Sequence, residues 1–272
     1  MNRLRLLHPD FDGFGNSAMA KDVSSKIRTG RPFGGTGFLF HKKFSSCVKP
    51  LVNYKHERVS AMQLNAEGRN IILINGYLPY YNTRDLQNQR ILYQDTLAYM
   101  EMIMNDNPYS EFIFLLDMNC NIYDTNHVFS KLLRNVMIRR SLISSFDLVS
   151  NFDPFTEFTR FDHSTGSYTL IDGIIISSSL SDLVSNVRIS NFGNNVSDHL
   201  PVEIDLRVTL SQVPSRNKAM PPYINWHNLS SDSTDGTAIE DEEGPKSVAP
   251  ITPAHTGSSN SAHGVSLCSL VK

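Results

Sequence analysis

An acid and an imidazole sit side by side in Ser197-Asp198-His199, just ahead of Val202-Glu203-Ile204-Asp205-Leu206. The alternation of apolar and acidic residues in that second segment predicts a strand with one buried face. A Ser-Asp pair before Pro201 is also ordinary turn chemistry, because short polar side chains bond their own backbone and proline fixes φ. Its neighbours in sequence make the pair more than a turn. Ile113-Phe114-Leu115-Leu116 runs into Asp117 and Asn119, Leu73-Ile74-Asn75-Gly76 runs into Tyr77 and Pro79, and Asp172 interrupts a run of leucine and isoleucines. An acid in such a run is costly unless paired, and a histidine that it orients is the natural partner; His199 is the candidate. An Asp–His pair with a second acid beside it, Asp198, can activate water and hold a divalent cation. Asp117 and Asn119 lie two apart, so their side chains would leave a strand on one face. One can handle a proton and the other an oxyanion or a substrate oxygen. Hard oxygen ligands without a Cys/His cluster favour Mg²⁺ or Mn²⁺ over zinc.

The elements that must position these groups follow from periodicity. Gly35–Phe44 leaves a glycine turn as a strand, Ser60–Asn65 is a strand, and Asn70–Pro79 is a buried, β-branched strand ended by Pro79. Leu86, Ile91, Leu92, Tyr93, Leu97, Tyr99, Met100 and Ile103 form a broad apolar stripe that predicts a long helix over 85–106. Glu111–Asn119 is another buried strand, His127–Val136 a helix, Tyr168–Ser177 a strand, and His199–Leu210 the last one. The pattern predicts an α/β domain with buried central strands and helices outside.

Composition bounds the rest. The chain has 272 residues, 40% hydrophobic, with a formal net charge of −2, so bulk charge does not announce a nucleic-acid binder. Arg134, Arg139 and Arg140 are the tight arginine group and read as a solvated helix face. Three cysteines without a CxxC spacing fit a reducing, intracellular compartment and no zinc site. No signal-peptide h-region and no membrane-length apolar run occur. The composition turns Ser-, Pro-, Thr- and Gly-rich near 211. This divides the chain into a folded part, 1–210, and a disordered tail, 211–272, within which the aromatic cluster of Tyr223–Leu229 could dock locally.

In order, the short motifs resemble those of the endonuclease/exonuclease/phosphatase superfamily, and within it the apurinic/apyrimidinic-type endonuclease domain of non-LTR retrotransposons. Gly30-Arg31-Pro32-Phe33-Gly34-Gly35 is similar to the family's glycine turn into a strand, and Tyr77-Leu78-Pro79 to its Tyr-x-Pro. Leu116-Asp117-Met118-Asn119 is similar to Gly-Asp-x-Asn, Thr169-Leu170-Ile171-Asp172-Gly173 to Ser-x-Ile-Asp-Tyr, and Ser197-Asp198-His199-Leu200-Pro201 to Ser-Asp-His-x-Pro. Ile224-Asn225-Trp226 resembles a segment that follows the domain. The resemblance implies a DNase I-like sandwich of two mixed sheets flanked by helices and Mg²⁺-dependent hydrolysis of phosphodiesters in DNA. It implies that Asp198 lies near the metal and His199 contacts the phosphate or helps generate the nucleophile. Asp172 would orient His199, Asp117 would act in proton transfer, and Asn119 and Tyr77 would bind the phosphate.

The departures are Leu116 for glycine, Thr169 for serine, and Gly173 for tyrosine. No Gln-Glu-Thr, which supplies the family's metal-binding glutamate, lies ahead of Gly30. The expectation is a domain lacking its first strands, with an exposed sheet edge and impaired activity. The competing readings are a non-catalytic retrotransposon remnant and another phosphoesterase of the superfamily, such as a phosphoinositide phosphatase, sphingomyelinase or deadenylase.

Overall fold

The computed structural model describes residues 8–17, 35–191, 195, 197–212 and 265–269. These belong to one compact unit. The Gly30–Gly34 part of the glycine turn and the Trp226 segment lie outside the described residues.

Two long apolar segments form the centre. β5 (Arg69–Tyr77) and β6 (Glu111–Asp117) pair in parallel, joined by α1 (Leu86–Asp106). Both strands are apolar at consecutive positions because both of their faces are covered. Around them lies a six-stranded sheet in the order β3 (Val48–Pro50), β4 (Val59–Ala66), β5, β6, β10 (Asp172–Ser177), β7 (Leu142–Ser144). All its pairings except β5–β6 are antiparallel, so the sheet is mixed as expected. β1 (Phe11–Asn16) and β2 (Thr36–His41) form a separate ribbon, as do β8 (Arg160–Asp162) and β9 (Ser167–Thr169).

One face of the sheet carries Ile72, Ile74, Phe112, Phe114, Leu116 and Ile175 against α1 and α2 (Val128–Arg139), through Tyr93, Leu97, Met100, Ile103, Phe129 and Leu133. The opposite face carries Leu73, Ile113, Leu115, Ile174 and Ile176. These pack with Val187, Val202, Ile204, Leu206 and Val265 of an antiparallel sheet of β11 (Val184–Ile189), β12 (Val202–Leu206) and β13 (Val265–Ser269). The result is helices on a mixed sheet on a second sheet, the sandwich read from sequence.

Particular departures have physical causes. Ile91, assigned to the apolar stripe, is 47% exposed, and Thr96 takes a buried place, its Oγ1 donating to Leu92 O at 2.7 Å. The single strand read over Tyr168–Ser177 is two, broken at Leu170–Ile171 where the backbone serves the Asp172 site. Arg139 and Arg140 both contact Glu101 across α1 and α2, at 3.0 and 2.9 Å, so two of the three arginines tie helices together. The short strands β1, β7 and β11 carry too little periodicity to be read from sequence.

In the second sheet β12 is the inner strand. β12 pairs with β11 on one side and with β13 on the other, Leu206 opposite Val265 and Val202 opposite Ser269. Five residues assigned to the tail are therefore part of the second sheet. Val265 is 6% exposed, and burying a valine side chain contributes about 1.5–3 kcal/mol. A chain ending at residue 264 should lose that burial and the ladder to β12, and unfold at a temperature lower by roughly 3–12 °C, since 1 kcal/mol is worth about 2–4 °C at this size. Differential scanning calorimetry checks this; an unchanged melting temperature would show that β13 contributes nothing.

Candidate active site

The site begins as a row across three neighbouring strands. Tyr77 ends β5 opposite Asp117, which ends β6, and Asp117 is opposite Asp172, which begins β10. Register alone thus places two carboxylates side by side at one end of the sheet, with a tyrosine beside them. One residue further in, the same register gives Gly76, Leu116 and Gly173. A Cβ at Gly76 would meet Met100 Cε at 2.3 Å and Leu116 Cδ2 at 2.8 Å, and a Cβ at Gly173 would meet Met118 Cε at 2.9 Å. Leu116 occupies space that Gly76 leaves beside it, and Met118 occupies that beside Gly173.

His199 reaches this row from the loop before β12. Phe161 N donates to Asp198 O at 2.9 Å and Leu200 N donates to Thr159 O at 2.6 Å, and an antiparallel bridge pairs Arg160 with His199. The ring is 5% exposed and its Nδ1 lies 2.9 Å from Asp172 Oδ2. That contact fixes the tautomer and leaves Nε2 to exchange a proton. Thr159, fully buried, locks the acid: its Oγ1 accepts from Ile171 N at 3.0 Å and from Asp172 N at 2.9 Å. Sequence reasoning missed Thr159, whose hydroxyl lies in an unpatterned loop.

Asp117 is 3% exposed. Burial and the neighbouring charge of Asp172 push its carboxyl up to about 7, against the pull of His199, the Asn119 N–H and Arg160. Burial likewise raises Asp172, although His199 and Thr159 hydrogen-bond it. For His199 burial pulls down, but the Asp172 hydrogen bond and the charges of Asp172, Asp117 and Asp198 outweigh it, and its pKa is raised.

Asn119 takes a left-handed backbone, φ 49°, which asparagine tolerates. Its N–H donates to Asp117 Oδ1 at 3.0 Å and its Nδ2 donates to Leu78 O at 2.7 Å, so it clamps the ends of β5 and β6 together. Tyr77 lies under the Arg58 guanidinium, 5.3 Å from the ring centre. Asp198, read as the metal ligand, receives Arg160 Nε at 3.2 Å. Neither arginine was singled out from sequence, because a lone arginine next to aromatics carries no pattern.

Asp117, Asp172 and His199 bring one ligand atom each within 4.8 Å of one another, a grouping that can hold a metal ion. Their chemistry fits a hard cation: two buried carboxylates repel, and a positive ion between them relieves the charge that raises Asp117.

No family model matches the chain, and no curated protein matches it in sequence. Solved structures do match. The AP endonuclease LMAP from Leishmania major is 14% identical, over 72% of this chain and 70% of that one, at a TM-score of 0.53. The 3′ phosphatase NExo from Neisseria, bound to a product DNA hairpin, is 16% identical over 73% of this chain and 79% of its own, at 0.51. The endonuclease domain of TRAS1, a telomere-specific non-LTR retrotransposon, is 12% identical over 70% of this chain and 77% of its own, at 0.50. The chain has the DNase I-like fold of the endonuclease/exonuclease/phosphatase proteins, a fold of nucleases and phosphatases.

Three raised groups give the site a pH signature. Asp117 and Asp172 stand above their unfolded value of 3.8 and His199 above 6.5. The stability each contributes is complete below its unfolded pKa and is lost as pH rises through the folded one. Urea unfolding should therefore show the site's share of stability falling from pH 5 to pH 8, against the opposite trend of His56 and His127, whose pKa values burial lowers, and Asp117→Asn, which keeps an acceptor for Asn119, should reduce that fall. An equal fall in both chains would contradict the assignment.

Proposed function

We propose that the chain hydrolyses phosphodiester bonds in DNA with a divalent cation, Mg²⁺ or Mn²⁺. The observation that carries this reading is the buried Asp172–His199 pair at 2.9 Å, set against a second carboxylate whose pKa lies near neutrality. A histidine fixed by an acid can take a proton from water, and a half-protonated acid can return one to a leaving oxygen. Without a cation, Asp117 titrates at about 7.

In this reading water attacks the phosphorus, His199 receives its proton at Nε2, the bond to the 3′ oxygen breaks, and Asp117 protonates that oxygen. Tyr77, next to Asp117 in the strand register, contacts the phosphate, and so does Asn119 through the amide oxygen that its clamp on Leu78 leaves over. Asp198, beside the Asp117–Asp172–His199 grouping, would lie near the cation, which would supply charge neutralisation at the phosphate and a lowered pKa for water. Asp198 already shares its carboxylate with Arg160, and Asp172 with His199, and both contacts compete with a cation.

The sequence resemblance to non-LTR retrotransposon endonucleases favours nicking of duplex DNA. A second reading, removal of a terminal 3′ phosphate, is supported by the likeness to NExo, named a 3′ phosphatase. Among the described residues no helix is long and apolar enough to cross a membrane.

Supercoiled plasmid should be converted to open circles in Mg²⁺ or Mn²⁺ and remain supercoiled in EDTA. His199→Ala should slow nicking by about 10²-fold or more, within the usual contribution of a positioned acid or base. A 3′-phosphorylated oligonucleotide separates the second reading, through inorganic phosphate released without nicking. Nicking that survives His199→Ala would sink both.

A further inference from the structure

Arg160 stands at the mouth of this site and belongs to no motif. The bridge to His199 sets its backbone opposite the imidazole. Its guanidinium meets Asp198 through Nε at 3.2 Å and Asp162 through Nη2 at 3.7 Å, and its charge also acts on Asp117. One cation thus answers several acids. Its side chain is 33% exposed and those of Asp198 and Asp162 25% and 28%, so the ion pair faces solvent while Asp172 and His199, at 3% and 6%, lie beneath it.

Two consequences follow from charge. An incoming phosphodiester is an anion approaching a cluster of acids, and it needs a cation on the open side. Arginine is suited to that role because its planar fork binds two phosphate oxygens at once. A solvent-facing arginine–carboxylate pair is weak and exchanges readily. While Arg160 stays on Asp198, however, it competes with a divalent cation for that carboxylate.

We propose that Arg160 is a phosphate-binding residue held in reserve by Asp198: the substrate phosphate draws the guanidinium away, and a divalent cation thereby loses one competitor for the Asp198 carboxylate. Substrate and cation then bind cooperatively, and the empty enzyme holds metal poorly. This inference rests on the phosphodiesterase reading above and assigns its phosphate contact and its metal dependence to one exchange of partners.

The test measures binding as well as turnover on the full chain. Free Mn²⁺ is followed by electron paramagnetic resonance without DNA, and a fluorescent duplex oligonucleotide by anisotropy in EDTA. Arg160→Gln should bind Mn²⁺ about tenfold more tightly than the parent, and the double variant Arg160→Gln/Asp198→Asn should lose that gain. Asp198→Asn alone breaks the same ion pair, so a gain caused by mere loosening of the loop would appear there too. In anisotropy Arg160→Gln should weaken duplex binding several-fold and lower the salt slope by about one, the signature of one lost phosphate contact. Duplex should tighten Mn²⁺ binding in the parent and not in Arg160→Gln. Arg160→Lys, which keeps charge without the fork, should fall between them. If the parent nicks DNA and Arg160→Gln matches it in Mn²⁺ affinity, salt slope and KM, this inference fails while the functional reading stands. If the parent neither binds nor cuts DNA, both fail together.

Discussion

The buried pairing of Asp117 with Asp172 across adjacent strands is the constraint around which the rest is arranged. Two carboxylates cannot both be ionised at close range in a low-dielectric surrounding without opposite charge or hydrogen bonds nearby. Each neighbouring feature supplies one of these. His199 gives Asp172 a partner, Thr159 holds the backbone of Asp172, Asn119 gives Asp117 an N–H, and Arg160 adds positive charge from the rim. What remains uncompensated appears as the raised pKa of Asp117. A core built only for stability would place leucine or isoleucine at both positions. The fold instead carries an electrostatic cost at one end of its central strands, where the loops converge.

How far this could be read from sequence depended on the range of the interactions. Asp172 in an isoleucine run declares itself, because nothing local explains an acid there, and the same reasoning led to His199; the structure places the two within hydrogen-bonding distance. The central strands were legible for a related reason: residues buried on both faces leave an unbroken apolar record. Arg160, Arg58 and Thr159 left none. Their importance lies in what the fold brings opposite them, such as the Arg160–His199 bridge across 39 positions, and no window along the chain contains that. β13 was hidden for the same reason, since five residues of ordinary composition become a strand only because β12 offers them an edge.

The three-residue row behind the site shows how a departure from a motif can be harmless. Leu116 stands where the resembling proteins have glycine, and Gly173 where they have tyrosine. In the sheet these are neighbours, with Gly76 on the other flank. Leu116 takes space beside Gly76, which Met100 also shares, while Met118 and Phe146 take that beside Gly173. Packing conserves volume across a neighbourhood more strictly than identity at a position.

The sheet that holds the loop of His199 is closed by residues far from it in the chain: Val202 faces Ser269 and Leu206 faces Val265. Contacts of such long sequence separation form late, because ordering the intervening chain must precede them. During synthesis β12 leaves the ribosome well before its partner exists, so for that interval one edge of the second sheet is open, and open edges recruit other strands. His199 is therefore carried on the loop leading into a strand whose partner on one side is made much later than the strand itself.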